Sequence, residues 1–406
     1  MRRKSTEVDA KGAGSAGIVV NGYSEQWLRR GFPWVYRNEV LGRTGHVQPG
    51  AVVEIRAREG DLLGVGIWDD AHVEVRRFRS DAGAIDGDLL LARVRRARAR
   101  RALPPETDAY RWVHAENDDL PGIRVDVWGA HLVVSLSSPA LLGLLEPLCD
   151  ALSAEHPVHA IWLQWRLHDE DTRDVTGLPV GRVRGAPGAD EVEVEVRERG
   201  LRAGVRPWEG HDVGMYCDMR DLRAWMEPHW AGRSVLNLFA HTAMFSVAAA
   251  RAGARGTASV DLSRAFLDRA EANFRRNGLD PAVHRFIAED SFKALDGFRR
   301  KGELFDVVIV DPPSFSHSAA GKFSVAQDLG RLVGAALRVL SPDGWLIVAS
   351  NLGSMAPREF QKHILAGSHK VGRPLHLVHQ GNQPIDFPSA LDFPESRYLK
   401  AWVLRG

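Results

Sequence analysis

Residues 305–315 read FDVVIVDPPSF, an apolar run of strand length that ends in an acid, two prolines, a serine and an aromatic residue. Pro312 and Pro313 exclude a helix and lack backbone donors, so the loop is stiff and its carbonyl oxygens remain available as acceptors. Asp311 and these carbonyls can accept hydrogen bonds from the amino group of a nucleic-acid base, and Phe315 offers a ring for stacking. A plain proline turn would account for the prolines alone. The acid, the prolines and the ring together favour a base-binding site.

Apolar runs of similar length recur throughout residues 205–406, with helical segments between them. The runs cover 235–240, 258–261, 286–288, 305–310 and 345–349, and the clearest helices cover 245–252 and 264–277. Strands that alternate with helices predict an α/β fold with a parallel sheet covered on both faces. Such sheets bind ligands at the carboxyl ends of their strands, so the residues at the end of each run are candidate site residues.

Polar side chains stand at the ends of the first three runs: Asn237, Asp261 and Asp290. Asp261 follows the first turn by roughly 20 residues, the separation at which a carboxylate at the next strand end can accept both hydroxyls of a ribose. Asp290 is placed to accept a hydrogen bond from an adenine amino group. A helix N-cap would explain Asp261 alone equally well. The series of three polar strand ends favours a nucleoside site.

The composition and the hydrophobic pattern of the chain before residue 205 divide it into three parts. Residues 1–17 are small and charged, which predicts a disordered tail without the apolar segment of a secretory signal. Residues 18–85 alternate short apolar runs with glycine and charged turns, which predicts a small β-rich domain. Residues 86–204 mix helical and extended runs and predict a middle α/β domain. Residues 205–406 form the α/β domain with the candidate site.

The bulk composition predicts a soluble, cytoplasmic protein. No window approaches the roughly 18 uncharged apolar residues of a membrane helix. The chain has two cysteines, Cys149 and Cys217, which are too few for a disulfide framework or a metal cluster and which suit a reducing compartment. The net charge is +1 at pH 7, so attraction to nucleic acid must come from local clusters of basic residues. A homodimer is compatible with the sequence.

Arginines cluster in two places. Those of the helical segment 89–102 are spread around the helix, so a solvated helix explains them at least as well as a phosphate-binding one. They are Arg93, Arg95, Arg96, Arg98, Arg100 and Arg101. A second group in the β-rich domain adds weak support for RNA binding. It comprises Arg29, Arg30, Arg37, Arg76, Arg77 and Arg79.

Several stretches resemble one family. Residues 310–315 resemble motif IV of class I methyltransferases that act on amino or ring atoms of bases. Four further stretches resemble segments of the bacterial large-subunit rRNA methyltransferases that carry an N-terminal PUA domain. These are GFPWVY at 31–36, ENDDLPGI at 116–123, GMYCDMRD at 214–221 and FPESRYLK at 393–400, which resemble the family's entry motif, middle-domain segment, cofactor-closing loop and final strand. The resemblance extends in order over residues 18–406.

The resemblance implies a Rossmann-like methyltransferase domain with a seven-stranded sheet, and a PUA-like RNA-binding domain at 18–85. It implies S-adenosyl-L-methionine as the cofactor and ribosomal RNA, most specifically 23S rRNA, as the partner. The implied cofactor-binding residues are Tyr216, Asp218, Arg220, Asn237, Phe239, Thr242, Asp261, Asp290 and Asp311. The implied catalytic residues are Asp311, Pro312, Pro313, Phe315 and Asn351.

The sequence departs from the family pattern at two positions. Ala243 stands where the family has a glycine, which allows a positive φ and close approach of the cofactor. Asn351 stands where the cytosine-C5 members carry a cysteine nucleophile. Carbon 5 of cytosine reacts only after a thiolate has added to carbon 6, and an amide cannot add in this way. An asparagine at this place resembles the related rRNA guanine-N7 methyltransferases instead.

These observations predict a methyltransferase that modifies an RNA base at nitrogen, with guanine favoured over cytosine C5. Ring and exocyclic nitrogens carry or can develop a lone pair, so positioning beside the methyl donor supplies most of the catalysis. Two alternatives remain open at this point. One is a catalytically silent RNA-binding relative, and the other is a small-molecule methyltransferase with an inherited RNA-binding module.

Overall fold

The computed structural model describes residues 16–45, 47–167, 174–185, 193–210, 212–318 and 321–406. The predicted disordered tail at 1–17 lies outside these ranges apart from its last two residues. The described chain forms three large sheets and two short hairpins. Within the described ranges, no helix combines the length and apolarity needed to cross a bilayer.

The first sheet has six strands in the order β2-β6-β5-β4-β1-β3. Its elements are β1 Gly17–Val20, α1 Gly22–Arg29, β2 Trp34–Tyr36, β3 Val40–Thr44, β4 Val52–Arg56, β5 Leu62–Trp68 and β6 Val73–Arg79. Alternation along β4 buries Val53 and Ile55 in the core of this sheet. Helix α1 begins where the side chain of Asn21 accepts a hydrogen bond from the Ser24 amide. The predicted β-rich region is therefore a sheet of short strands packed around one apolar core.

The middle sheet has five strands in the order β11-β10-β9-β8-β7. The elements of this region are α2 Gly87–Ala99, β7 Ala109–His114, β8 Ile123–Trp128, β9 His131–Leu136, α3 Leu145–Glu155, β10 Ala160–Trp165 and β11 Gly181–Gly185, followed by the hairpin β12 Val194–Glu198 and β13 Leu201–Val205. Helices α2 and α3 contact each other and pack on one face of the sheet. The opposite face packs through Val133 and Trp162 against Val213 and Met215, which belong to the C-terminal half.

The third sheet has seven strands in the order β16-β15-β14-β17-β20-β22-β21. Its region comprises α4 Arg220–Met226, β14 Ser234–Leu238, α5 Met244–Arg251, β15 Gly256–Asp261, α6 Arg264–Arg276, β16 Arg285–Ala288, α7 Ser291–Arg300, β17 Phe305–Val310, β18 Phe315–Ser318, β19 Gly321–Ser324, α8 Val325–Leu337, β20 Leu340–Ser350, α9 Pro357–Val371, β21 His376–Gly381 and β22 Lys400–Arg405. The neighbouring strands β16, β15, β14, β17 and β20 are parallel, and β22 runs antiparallel to its neighbours β20 and β21. Strands β18 and β19 form a separate antiparallel hairpin. The predicted α/β fold is confirmed.

The order of strands reverses between β14 and β17. The chain proceeds outward from β14 through β15 to β16 and then returns to add β17 on the other side of β14. A crevice forms at such a reversal, outside the carboxyl ends of the two central strands. Leu238 is paired with both Val260 and Val310, so the loops that leave these strands emerge side by side.

Candidate functional site

A cavity of about 730 Å³ lies at this crevice. It is lined by the ends of β14, β15, β17 and β20 and by the loop between β16 and α7. Most of the site residues identified in the sequence lie together in its wall. They are Tyr216, Asp218, Asn237, Phe239, Thr242, Asp261, Asp290, Asp311, Pro312, Pro313 and Asn351. The structure thus brings together residues that are separated by up to 135 positions in the chain, counted from Tyr216 to Asn351 (351 − 216).

Two carboxylates of this wall are held in place by backbone amides. Asp261 accepts from the His241 amide at 2.8 Å through Oδ2 and from the Ser263 amide at 2.9 Å through Oδ1. Asp290 is the N-cap of α7, where its Oδ1 accepts from Phe292 and Lys293. An ionised carboxylate offers about four acceptor positions, so each retains capacity for a ligand's hydroxyl or amino donors. The pair fits the ribose and the adenine of a nucleoside cofactor.

The loop between β14 and α5 has an unusual backbone conformation. Phe239, His241 and Ala243 have φ values of 55°, 52° and 59°, a left-handed conformation that side chains other than glycine rarely adopt. Ala243 therefore takes the conformation for which the family uses glycine, at a cost of about 1–2 kcal/mol. The loop is fixed by Thr242, whose hydroxyl donates to the Gly214 carbonyl at 2.6 Å. Strain of this kind is typical of functional loops.

A His–Asp pair at the rim of the cavity was not identified in the sequence. The Nε2 of His241 lies 2.7 Å from Asp212 Oδ1, and the His241 ring lies 5.2 Å from the ring of Tyr216. Burial alone would raise the pKa of Asp212, but the hydrogen bond and charge of His241 outweigh it and hold that pKa below its ordinary value. The available signal was the position of His241 in the loop after the first apolar run, where the carboxyl end of a parallel strand places ligand-binding residues.

The cavity wall also holds the acid of the Asp-Pro-Pro loop. Burial, helped by the negative charge of Asp218, raises the pKa of Asp311 from 3.8 to about 7. Nearby, Asn351 Oδ1 accepts from the Ser314 hydroxyl at 2.9 Å. This bond ties the end of β20 to the loop after β17. It also leaves the Asn351 amide nitrogen as the group that can donate to a ligand.

Arg220 does not line the cavity, contrary to the interpretation of 214–221 as a set of cofactor contacts. Its side chain is fully buried and forms an ion pair with Asp386, which is also fully buried. The guanidinium therefore serves to join α4 to the loop before β22. Asp218, from the same stretch, does line the cavity, and its carboxylate accepts from the Tyr398 hydroxyl at 2.8 Å.

Phe315 also lies outside the cavity wall. It begins strand β18, and 64% of its surface is exposed. Its ring is available at the surface beside the loop. The aromatic side chains that do line the cavity near this loop are Phe239 and Phe323, whose ring centroids are 5.8 Å apart.

The two cysteines lie in apolar clusters and not in the cavity wall. Cys149 packs in the core of the middle sheet, and Cys217 packs beneath the rim beside Met215 and Met244. Burial raises the pKa of Cys149 to about 11 and that of Cys217 well above its ordinary value. Neither sulfur is placed or ionised to attack a base in the cavity.

Comparison with known proteins gives matches over almost the whole chain. A family model described as S-adenosylmethionine-dependent methyltransferase matches residues 186–405, and one described as PUA-like domain matches residues 18–78. Ribosomal RNA large subunit methyltransferase I of Shewanella amazonensis is 35% identical over 388 residues, covering 94% of this chain and 97% of that protein. The protein of the same name from Tolumonas auensis is 33% identical over 389 residues, with the same coverage.

Two solved structures share the fold over the full length. A methyltransferase complexed with SAH has a TM-score of 0.85 at 25% identity, and the match covers 96% of this chain and all of that chain. A SAM-dependent methyltransferase from Streptococcus mutans has a TM-score of 0.83 at 25% identity, with the same coverage.

Proposed function

We propose that this chain, which belongs to the S-adenosylmethionine-dependent methyltransferase family, methylates a base of large-subunit ribosomal RNA at a nitrogen atom. The predictions of a methyltransferase with S-adenosyl-L-methionine as its cofactor and of a PUA-like domain are confirmed. The name of the relatives, which match 94% of the chain, supports ribosomal RNA as the substrate. The carboxylates Asp261 and Asp290, with their remaining acceptor positions, fit the nucleoside part of the cofactor.

The proposal of nitrogen as the methylated atom rests on Asn351, which lines the cavity beside the Asp-Pro-Pro loop. Both cysteines of the chain are buried elsewhere. Methylation of cytosine C5 requires a thiolate that adds to the ring, whereas a nitrogen atom supplies its own lone pair. Bound S-adenosylmethionine supplies a methyl group on an electrophilic sulfonium. The protein then needs to hold a base in line with that group and to exclude water.

The polar groups around the acceptor position favour guanine. Asp311 and the carbonyls of the Pro312–Pro313 loop present acceptors, which match the ring N–H and the amino group on guanine's Watson–Crick edge. The amide nitrogen of Asn351, whose oxygen is bonded to Ser314, presents a donor for a guanine carbonyl or ring nitrogen. Phe315 remains a proposed stacking partner for the nucleotide as it enters, since its ring is exposed beside the loop.

The test is nucleoside mass spectrometry of ribosomal RNA methylated by the purified protein. A nitrogen-methylated guanine is expected, and 5-methylcytosine would overturn the proposal. Asn351→Asp keeps the shape but removes the donor, so turnover should fall about 10- to 100-fold with S-adenosylmethionine affinity unchanged. Gln361→Glu, on the exposed surface of α9, makes the same chemical change as a control. If the parent protein binds the cofactor and transfers no methyl group to any RNA, the silent-relative alternative replaces the proposal.

We further propose domains at 18–85, 86–204 and 205–406, with one adjustment. Apart from Gly17, the first residue of β1, the three large sheets fall within these ranges, which supports the division. The hairpin of β12 and β13, however, packs on α6, where the Gly204 amide donates to Asn273 Oδ1 at 2.9 Å. The hairpin therefore belongs with the methyltransferase domain, and the boundary is better placed before β12.

A further inference from the structure

One face of the middle sheet changes from apolar to polar as it approaches the cavity. The apolar part, with Val133 and Trp162, packs against the methyltransferase domain. Arg124, Ser135 and Gln164 lie further along the same face, paired with one another across β8, β9 and β10. Strands are spaced by about 4.8 Å, so this row spans roughly 10 Å from Arg124 to Gln164.

The polar part of this face ends at an exposed arginine. Arg166 lies two residues beyond Gln164, where its amide continues the ladder by donating to Leu136. Gln164 Nε2 donates to Ser135 Oγ at 2.9 Å, and both of these side chains are buried. The side chain of Arg166, by contrast, is exposed, so its guanidinium can reach a ligand that approaches this end of the sheet.

The two arginines of this face carry charges that no described carboxylate neutralises through an ion pair. Burial, together with the charges of Arg111 and Arg166, lowers the pKa of Arg124 to about 10. Arg111, by contrast, forms an ion pair with Asp126. Glu116 attracts Arg124 without forming an ion pair with it, and Glu116 Oε1 accepts hydrogen bonds from the Trp34 indole and the Gly122 amide. A partly buried guanidinium without an ion pair, such as that of Arg124, is costly unless an anion binds it.

The two arginines lie near residues that line the cavity or contact its wall. Arg124 is an electrostatic neighbour of Tyr398, whose hydroxyl donates to the cavity residue Asp218. Arg166 is an electrostatic neighbour of Tyr216, which lines the cavity itself. An RNA strand whose base occupies the cavity would place its backbone in this region.

We propose that Arg124 and Arg166, here called the middle-sheet strip, bind the phosphodiester backbone of the RNA next to the target nucleotide. Each guanidinium would bind phosphate oxygens through charge-assisted hydrogen bonds. This inference rests on the proposed function and adds the site that holds the strand while the base is methylated.

The test is the salt dependence of RNA binding by the full-length protein, measured by fluorescence anisotropy with a single-stranded ribosomal RNA fragment. Each phosphate contact contributes about 0.7 to the slope of log affinity against log salt, which is about fivefold in affinity at 0.1 M salt. The double variant Arg124→Gln/Arg166→Gln should therefore bind about 25-fold more weakly, with a slope smaller by about 1.4. S-adenosylmethionine affinity, measured by calorimetry, should not change.

The matched control is Arg184→Gln on β11 of the same sheet, because Arg184 is already neutralised by Glu146 and Asp150. Control and parent should have the same slope. If the double variant also keeps the parent slope, the middle-sheet strip does not bind the RNA backbone and the inference is wrong. If the double variant does not fold, Arg166→Gln alone, at an exposed position, should still lower the slope by about 0.7, and an unchanged slope would overturn the inference.

Binding and turnover separate this inference from the proposed function. A parent protein that binds RNA with the expected slope but transfers no methyl group contradicts the proposed function and leaves the strip in place. A parent that methylates RNA, with a double variant of unchanged KM and slope, contradicts the strip and leaves the proposed function in place.

Discussion

Replacement of Asp311 by asparagine should stabilise the protein while it lowers turnover. The Asp311 carboxyl lies in the cavity wall at the end of β17, and no described residue donates a hydrogen bond to it. Burial and the charge of Asp218 raise its pKa to about 7. At neutral and alkaline pH the folded protein therefore holds a poorly solvated negative charge. Such a cost is typical of a group that is retained for function.

The sign and size of the effect follow from proton linkage. Because the pKa of Asp311 is about 7 in the folded protein and 3.8 ordinarily, the folded state binds the proton more tightly. Its contribution to stability is therefore greatest below pH 4 and is lost as the pH rises through 7. At about 1.4 kcal/mol per pH unit the upper limit is about 4 kcal/mol. Because Asp311 is only partly buried and lines the cavity, solvent screening reduces this limit, and we expect Asp311→Asn to gain about 1–2 kcal/mol at pH 8 and nothing at pH 4.

The assay is urea unfolding of parent and variant at pH 8 and pH 4, with methyl transfer to RNA measured in parallel. Asp268→Asn on the exposed face of α6 is the control, and its free energy of unfolding should change by less than about 0.5 kcal/mol. Turnover of the parent should rise as the pH increases through 7, since the carboxylate accepts from the base, and the variant should lack this rise. A variant that is less stable than the parent at pH 8, or that methylates RNA equally fast, would refute the reasoning.

Four further substitutions test other parts of the chain. Asp261→Ala should weaken S-adenosylmethionine binding by about 1.5–3 kcal/mol in calorimetry, and an unchanged affinity would remove this carboxylate from the cofactor site. Cys149→Ser and Cys217→Ser should leave methylation largely intact, and a covalent adduct of the parent with RNA containing 5-fluorocytosine would contradict this expectation. Arg220→Ala leaves Asp386 buried without its partner, so the free energy of unfolding should fall by about 3–5 kcal/mol. Full stability combined with weak cofactor binding would instead return Arg220 to the cofactor site.

Sequence periodicity located most of the cavity wall because of a simple property of parallel sheets. All carboxyl ends of the strands lie at one edge, so residues that follow apolar runs meet there whatever their separation in the chain. Asp261, Asp290 and Asp311 were found in this way. The rule needs only the positions of the apolar strand-length runs in the sequence. These runs are apolar because the strands of a parallel sheet are buried on both faces.

The rule fails for side chains whose environment depends on distant segments. Arg220 lies in a stretch that resembles the cofactor-closing loop, yet its partner Asp386 is 166 residues away in the sequence. Nothing local indicates whether an arginine on a short helix points into the cavity or into the core. Ala243 is a converse case, since the φ of 59° that it adopts is imposed by the surrounding loop rather than by its own preference.

The same limitation explains why counts of arginine are a poor guide to the RNA-binding surface. The arginines of α2 form the densest basic segment, but Arg95 and Arg96 are paired with acids and Arg93 is buried with its donors on backbone carbonyls. Arg124 and Arg166 stand apart in the sequence and are inconspicuous there. They become candidates only because the sheet places them on one face, beside the cavity, without an ion-pair partner among the described residues. A guanidinium that is already paired with a carboxylate gains little by exchanging that partner for a phosphate. The arginines to test for phosphate binding are therefore those without a carboxylate partner in the folded chain.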